Sequence, residues 1–457
     1  MEEQLRAKYS DKFRVFALLW SSALVFHLLN YGYFEGGWEG PGIDYLYLVD
    51  AALSLLTPIL LVRPTPRTIQ LSAWLLLLGG VIAYPNVTNH EIVLALSASS
   101  FLFLVKPDDE KLVDAFFRLA RPVTIVLYFF AAFHKLNTSF LDPHFSCATL
   151  LYDQILSLYR FLPSRPEIRA LLPTLTIVTE FAIPALLLRP ATRKAGMLVG
   201  IVFHMILGLD PLHPFANFSG LMFLMLAGFS GDRLATLIPL HSGAGRSILD
   251  RAVRIMLIGA FLGIELLYAV HHKEFVSVVQ YSAWLFVSGI LCWSLLVGLS
   301  RSTAPLTPIS IFPRRGWQLA LIVFLIVNAV EPYFGLKTSS SFDMYSNLRV
   351  RDHDSNHLLV PPLWDALGDL NDVVYVKESS EPQLAALVAD GFQPTLLTLW
   401  EHAAAHPEAK IIWSRTPNGA AAEQLDQTAL ANPIPFWIRK FIFFRYIDQG
   451  PEARCSW

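Results

Sequence analysis

The chain has 457 residues, 54% hydrophobic and only 16% charged, with a mean hydropathy of +0.46. Soluble domains carry roughly 25% charged residues, so this composition excludes an ordinary soluble protein and points to a polytopic membrane protein. The net charge of −2 gives no electrostatic basis for binding nucleic acid, and three cysteines (Cys147, Cys292, Cys455) are too few for a disulfide scaffold or a cysteine zinc site.

The N-terminal MEEQLRAKYSDKFR is mixed in charge, and no small-residue cleavage site follows the first apolar run, which reads as a retained anchor. A membrane span needs about 20 mostly apolar residues, fewer where its ends are aromatic or snorkel. About eleven such segments are expected. They lie near Phe13–Tyr33, Tyr45–Val62, Thr68–Tyr84, Glu91–Val105, Pro122–His134, Leu171–Leu188, Ala195–Leu209, Phe215–Phe229, Arg254–Val270, Ser277–Leu299 and Trp317–Val330. Alternate connections are basic. The N-terminus holds Arg6, Lys8, Lys12 and Arg14, and further Lys and Arg follow every second segment, among them Arg63, Arg118, Arg193, Arg251 and Arg315. GGWEGPGID, NVTNH and DPLHP, between them, carry none. The positive-inside rule then predicts a cytoplasmic N-terminus and an external C-terminal tail.

Two connections predict structure of their own. In Asp108–Ala120, Leu112, Phe116 and Leu119 recur at helical spacing opposite charges, which predicts a helix lying on the cytoplasmic membrane face. Thr149 to Leu162 predicts an interfacial or re-entrant helix able to roof a cavity. Beyond residue 335 ordinary polarity returns. DVVYVKE and AKIIWSR read as strands, QLAALVADG and TLLTLWEHAAAH as helices, and PFWIRKFIFFRYID as a strand pair or a membrane-surface helix. The expected fold class is thus all-α and polytopic over residues 1–334, with a small external α+β domain over 335–457.

Ionisable residues inside a bilayer are costly and default to functional hypotheses. Lys135 ends the apolar run FFAAFHKLN. Its position suits a snorkelling anchor, or else a desolvated base. A free lysine titrates near 10.4, so neutralising it near pH 7.4 costs about 4 kcal/mol unless an apolar pocket does part of the work. Glu180, mid-segment in TIVTEFAIP, must be neutral or paired, with His204 or Lys135 as partner. His204, in IVFHMIL, must hydrogen-bond something. His90 in VTNHE is either a surface histidine or a functional one. His27, Asp50, His134, His213 and Glu265 are weaker candidates. Neither HExxH nor clustered Cys/His spacing appears, so no metal is expected. Cys147 and Cys455 would both be external and could form a disulfide tying the tail to the long loop.

YFFAAFHKLN followed by a long loop resembles the lysine-bearing segment of the vitamin K-dependent gamma-glutamyl carboxylases and their bacterial HTTM-domain relatives. TNHEIVLAL, TEFAIPALLL, FHMILGL with NFSGLMFLMLAGF, and SFDMYSNLR resemble further family segments in the same order, over about residues 10–350. The resemblance implies that Lys135 is the base that deprotonates a reduced vitamin K or another naphthoquinone in a membrane enzyme. Oxygen then adds to the ring, the oxygenated quinone removes a proton from the gamma carbon of a glutamyl residue, the carbanion attacks carbon dioxide, and the quinone leaves as an epoxide. It also implies His90, beside Asn89, as the assisting histidine. Glu180, His204 and His134 would orient or charge-balance the pocket. Membrane lipid, a lipid quinone and a secreted peptide or protein would be the partners, at a bacterial plasma membrane with the site facing the periplasm. The sequence departs from the family in carrying His134 where a second lysine often stands and Asn137 in place of an acid. Its tail also does not read as the large β-rich luminal domain that grips a propeptide.

Overall fold

The computed structural model describes residues 10–30, 43–85, 87–106, 108–210, 215–237, 244–270, 275–301, 306, 308–313, 315–351, 354–363, 367–417, 423–424, 440–450 and 452–455. It is mainly helical, and each expected apolar segment coincides with a helix. These are α1 (Asp11–Asn30), α2 (Ile43–Val62), α3 (Pro66–Ala83), α4 (Asn89–Ala98), α5 (Asp109–His134), α7 (Pro166–Leu188), α8 (Arg193–Leu207), α9 (Ala216–Ala227), α10 (Ala244–Ala269), α11 (Val276–Arg301) and α12 (Gly316–Val330); the extra helix α6 (Cys147–Leu158) lies in the long loop. Six of them are long and apolar enough to cross a membrane: α1, α3, α5, α7, α11 and α12 with its 3-10 extension to Phe334. Helix α4 is not, since 10 residues rise only about 15 Å against a hydrocarbon core of about 30 Å.

Helix α1 is the axis of the bundle, with 89% of its apolar window buried, as expected for a helix apolar on every side. It packs chiefly against α9, whose residues are buried along its whole length. Phe16 and Trp20 project from it into an aromatic cluster with Phe101, Phe116 and Phe117, whose ring centroids lie 5.3 to 5.8 Å apart in edge and tilted contacts. Trp20 Nε1 donates to Ser72 Oγ at 3.0 Å, so the indole is buried without an orphaned donor. Gly208, past the end of α8, is where a Cβ would fall 2.2 Å from Trp284 Nε1, so no larger residue fits this contact.

This cluster corrects one expectation. Asp108–Ala120 is not a separate surface helix; it is the first half of α5, which runs 26 residues through Pro122 to His134. Leu112, Val113, Phe116 and Leu119 are fully buried, because the aromatic face of α1 covers the stripe that a membrane surface would otherwise have covered. Asp108 caps the start by accepting from Lys111 N. Arg121 Nε donates to Gly228 O at 2.9 Å beside the proline.

The tail forms the expected strands and helices. Strand β3 (Tyr375–Ser379) pairs antiparallel with β5 (Ile411–Ser414), and β5 with β6 (Glu423–Gln424), after the short pair β1 (Val350–Arg351) and β2 (Asp354–Ser355). Helices α13 (Pro382–Ala389) and α14 (Leu396–Ala405) cover this sheet, and Val374, Val376, Leu384, Leu399, Ile411 and Trp413 make its core. Strand β4 (Phe392–Gln393) pairs with β7 (Ile447–Asp448). The stretch PFWIRKFIFFRYID holds only β7 among its described residues; residues 435–439 lie outside them. Lys440 does not lie free at a membrane surface. Its Nζ donates to the carbonyls of Ile82 at 2.8 Å and Tyr84 at 2.6 Å, closing the C-terminus of α3. The tail is therefore anchored to the bundle.

Candidate functional site

Helix α5 ends on Lys135 as its C-cap, which turns the side chain back along the last turn. Lys135 Nζ donates to Ala131 O and to Glu180 Oε1, both at 3.1 Å, and lies 3.0 Å from Glu180 Oε2. The two side chains are only 7% and 9% exposed. Of the partners open to Glu180, the structure selects Lys135. The ring of Phe140 stands 5.8 Å from Nζ, within cation–π range.

This pair sits on the wall of a cavity of about 580 Å³, in the range of sites for small ligands. The other walls are apolar. Leu127 and Ala131 come from α5, Leu175 and Thr179 from α7, Val202 and Phe203 from α8. Leu175, Leu198, Val202 and Ile206, from α7 and α8, line it and are exposed apolar side chains. Helix α6 covers it with Cys147, Leu151 and Ile155, one face at four-residue spacing. The segment expected to roof a cavity thus lines this one.

The last wall is a strap from the tail. Phe342, Met344 and Tyr345 line the cavity. Ser340, Phe342, Tyr345 and Asn347 all have positive φ, between 54° and 64°, a conformation that costs non-glycine residues about 1–3 kcal/mol each. Hydrogen bonds hold it there. Phe342 N donates to Asn89 Oδ1 at 2.9 Å, Asn137 Nδ2 to Ser346 O at 2.7 Å, and Cys147 N to Asn347 Oδ1 at 2.9 Å. Asn347 Nδ2 donates to Phe145 O and Ala453 O. Cys147 and Cys455 form a disulfide beside this network.

The remaining candidates have partners of their own. His90 is not among the residues lining the cavity; its neighbour Asn89 is. The His90 ring meets Thr88 Oγ1 at 2.7 Å and His27 Nδ1 at 3.2 Å. His27 joins Asp50 and Glu91 around a smaller cavity of about 60 Å³. His204 is fully buried between Tyr128 OH at 2.7 Å and Ser219 Oγ at 3.4 Å. His134 is fully buried and bridges Tyr333 OH at 3.0 Å to Ser341 O at 3.1 Å, so it positions the strap. Glu265 is half-buried on α10, and His213 lies outside the described residues.

Asn137 is the position where the resemblance leads one to expect an acid, and its geometry accounts for an amide. Its Nδ2 donates to the His134 and Ser346 carbonyls while Oδ1 accepts from Phe140 N. A carboxylate could not donate. The sequence reading also misses a grouping in the tail, Glu381 with His402 and His406. The signal for it is the four-residue spacing of two histidines on one predicted helix. Compared with family models, with curated proteins and with solved structures, the chain has no match.

Proposed function

We propose that this chain is a polytopic membrane enzyme of the gamma-glutamyl carboxylase and HTTM class, acting on a reduced lipid quinone that enters its large cavity from the bilayer. The observation that carries this reading is the cavity itself: about 580 Å³, lined mainly by apolar side chains, with the Lys135–Glu180 pair on its wall. The residues present fit a hydroquinone, whose flat apolar ring needs such walls and whose hydroxyl needs a base and a carboxylate beside it. A bound hydroquinone would supply an acidic ring hydroxyl and, with oxygen, the driving force for removing a carbon-bound proton.

Lys135 is the proton acceptor. The pair carries no net charge either as ammonium and carboxylate or as amine and carboxylic acid, and one proton shift from Nζ to Glu180 interconverts the forms. The second form presents an unprotonated amine to the cavity, so Glu180 is the group that frees the base. Asn89, His134 and Asn137 act by holding the strap that excludes water. In this reading about eleven segments cross or enter the membrane, the N-terminus is cytoplasmic, and the cavity roof and tail face the periplasm. The disulfide supports that side, since such bonds persist in oxidising compartments. A secreted peptide or protein would be the carboxylated substrate.

The test uses the protein in lipid nanodiscs with reduced naphthoquinone, oxygen, labelled carbon dioxide and a glutamate-rich peptide as the carboxyl acceptor. Epoxide and incorporated label are expected from the wild type, with both lost in Lys135→Ala. Equal turnover by the two proteins would overturn the assignment of the base. A second reading is favoured by the ion pair, which would serve equally to hold α5 to α7 in a protein that binds lipid without turning it over. Quinone binding without epoxide would establish that reading, and epoxide without label would leave a quinone oxidoreductase.

A further inference from the structure

We propose that Glu381, His402 and His406 form a zinc site on the tail, with three protein ligands and a fourth position open to solvent. His402 and His406 occur in Glu-His-Ala-Ala-Ala-His near the end of α14. A spacing of four places both rings on one face of the helix, and the rings stand 4.8 Å apart, centroid to centroid. Glu381 comes from a different element, as the N-cap of α13. One donor atom from each residue lies within 4.8 Å of the others, and His402 Nε2 is already 3.0 Å from Glu381 Oε2. Two ligands about 2.0–2.1 Å from a tetrahedral zinc lie about 3.3 Å apart. The first edge of such a site is therefore formed, and a side-chain rotation of His406 completes it.

Several features set these groups up as ligands. Gln383 N and Leu384 N donate to the Glu381 carboxylate at 2.9 and 2.6 Å and fix its direction. Tyr446 OH lies 3.4 Å from His402 Nδ1, where it orients the imidazole from the far side. The side chains of Glu381, His402 and His406 are 10%, 13% and 21% exposed, shielded but reachable. Two imidazoles and one carboxylate suit zinc and disfavour magnesium and calcium, which prefer oxygen alone. A metal here would staple the first turn of α13 to the last turn of α14, across the sheet core.

The experiment uses the full chain, purified in detergent without a polyhistidine tag, stripped with chelator and titrated with zinc and, separately, with cobalt. One zinc per chain is expected, and cobalt should give the intense visible bands of four-coordination. Glu381→Gln and His406→Gln should each weaken zinc binding at least about 100-fold, and Tyr446→Phe about tenfold. His144→Gln, an exposed histidine on another loop, should change nothing. Equal zinc uptake by His406→Gln and wild type, or cobalt spectra without those bands, would overturn the site. Glutamine is a good helix former, so His406→Gln should keep α14; if its far-UV spectrum nonetheless changes, Glu381→Gln in the same titration decides.

Discussion

Lys135 with Glu180 and Lys337 with Glu331 are both buried lysine–glutamate pairs, with closest contacts of 3.0 and 2.7 Å. Around the amine they differ. Lys337 is sealed, with its side chain fully buried, Nζ bonded to Tyr84 OH at 2.6 Å and Asn328 Oδ1 at 2.7 Å, and the Tyr84 ring 4.4 Å away. Burial lowers its pKa, and the facing Glu331 carboxylate works against that shift. Lys135 keeps one carboxylate and one carbonyl, and it borders a cavity large enough for a ligand. Chemistry requires an amine that can meet a substrate; structure requires one whose donors are all taken. On the proposed reading the same two residue types serve different ends, decided by what the surrounding helices leave open.

Substitution should separate the two. Lys135→Ala should lower quinone turnover about 10²–10⁴-fold, the usual contribution of one acid–base group, measured in nanodiscs at saturating substrate. Lys337→Met should instead cost about 3–5 kcal/mol of stability, because it strands Glu331 in a sealed site, and thermal unfolding in detergent would read it. If Lys135→Met destabilises the protein as much, Lys135 is structural as well and the contrast fails. Replacing Cys147 and Cys455 by serine should cost about 2–5 kcal/mol, given a loop of 308 residues, and should loosen the cavity wall that Cys147 helps to build. Asn89→Ala leaves the Phe342 amide without its acceptor, so about 1–3 kcal/mol should be lost and KM should rise more than kcat falls.

The smallest effect is in acid. Burial raises the Asp448 carboxyl pKa, but the side chain and amide of Arg454 and the Gly450 amide outweigh it and hold it below its ordinary value. The unfolded carboxyl titrates near 3.9. The bond to Arg454 thus contributes its full stability above about pH 4 and loses it as pH falls through the depressed folded value. Hydrogen-exchange protection factors at residues 447–450, corrected for the intrinsic pH dependence of exchange, should fall in that acid window and stay flat at neutral pH.

Much of this was legible from residue types. Each apolar segment became a helix, and Lys135 and Glu180 stood out because charge is costly among Phe, Ile and Leu. The surface placement of Asp108–Ala120 failed for a physical reason. Leu112, Phe116 and Leu119 at helical spacing say that one face is covered, and lipid and protein cover it equally well. The strap was illegible because Phe342 and Tyr345 take positive φ without glycine; distant partners such as Asn89 impose it. His402 and His406 were visible as a spacing, but Glu381, 21 positions before His402 and in another element, reaches them only through the fold.

The cavity borders exposed apolar side chains of α7 and α8. On the proposed reading its occupant would come from the bilayer, so occupancy would follow the mole fraction of ligand among lipids rather than its bulk concentration. Adding inert lipid at constant total quinone should therefore slow the protein as if it were an inhibitor. On that reading KM would be stated per lipid, and values from detergents of different loading would disagree until they were.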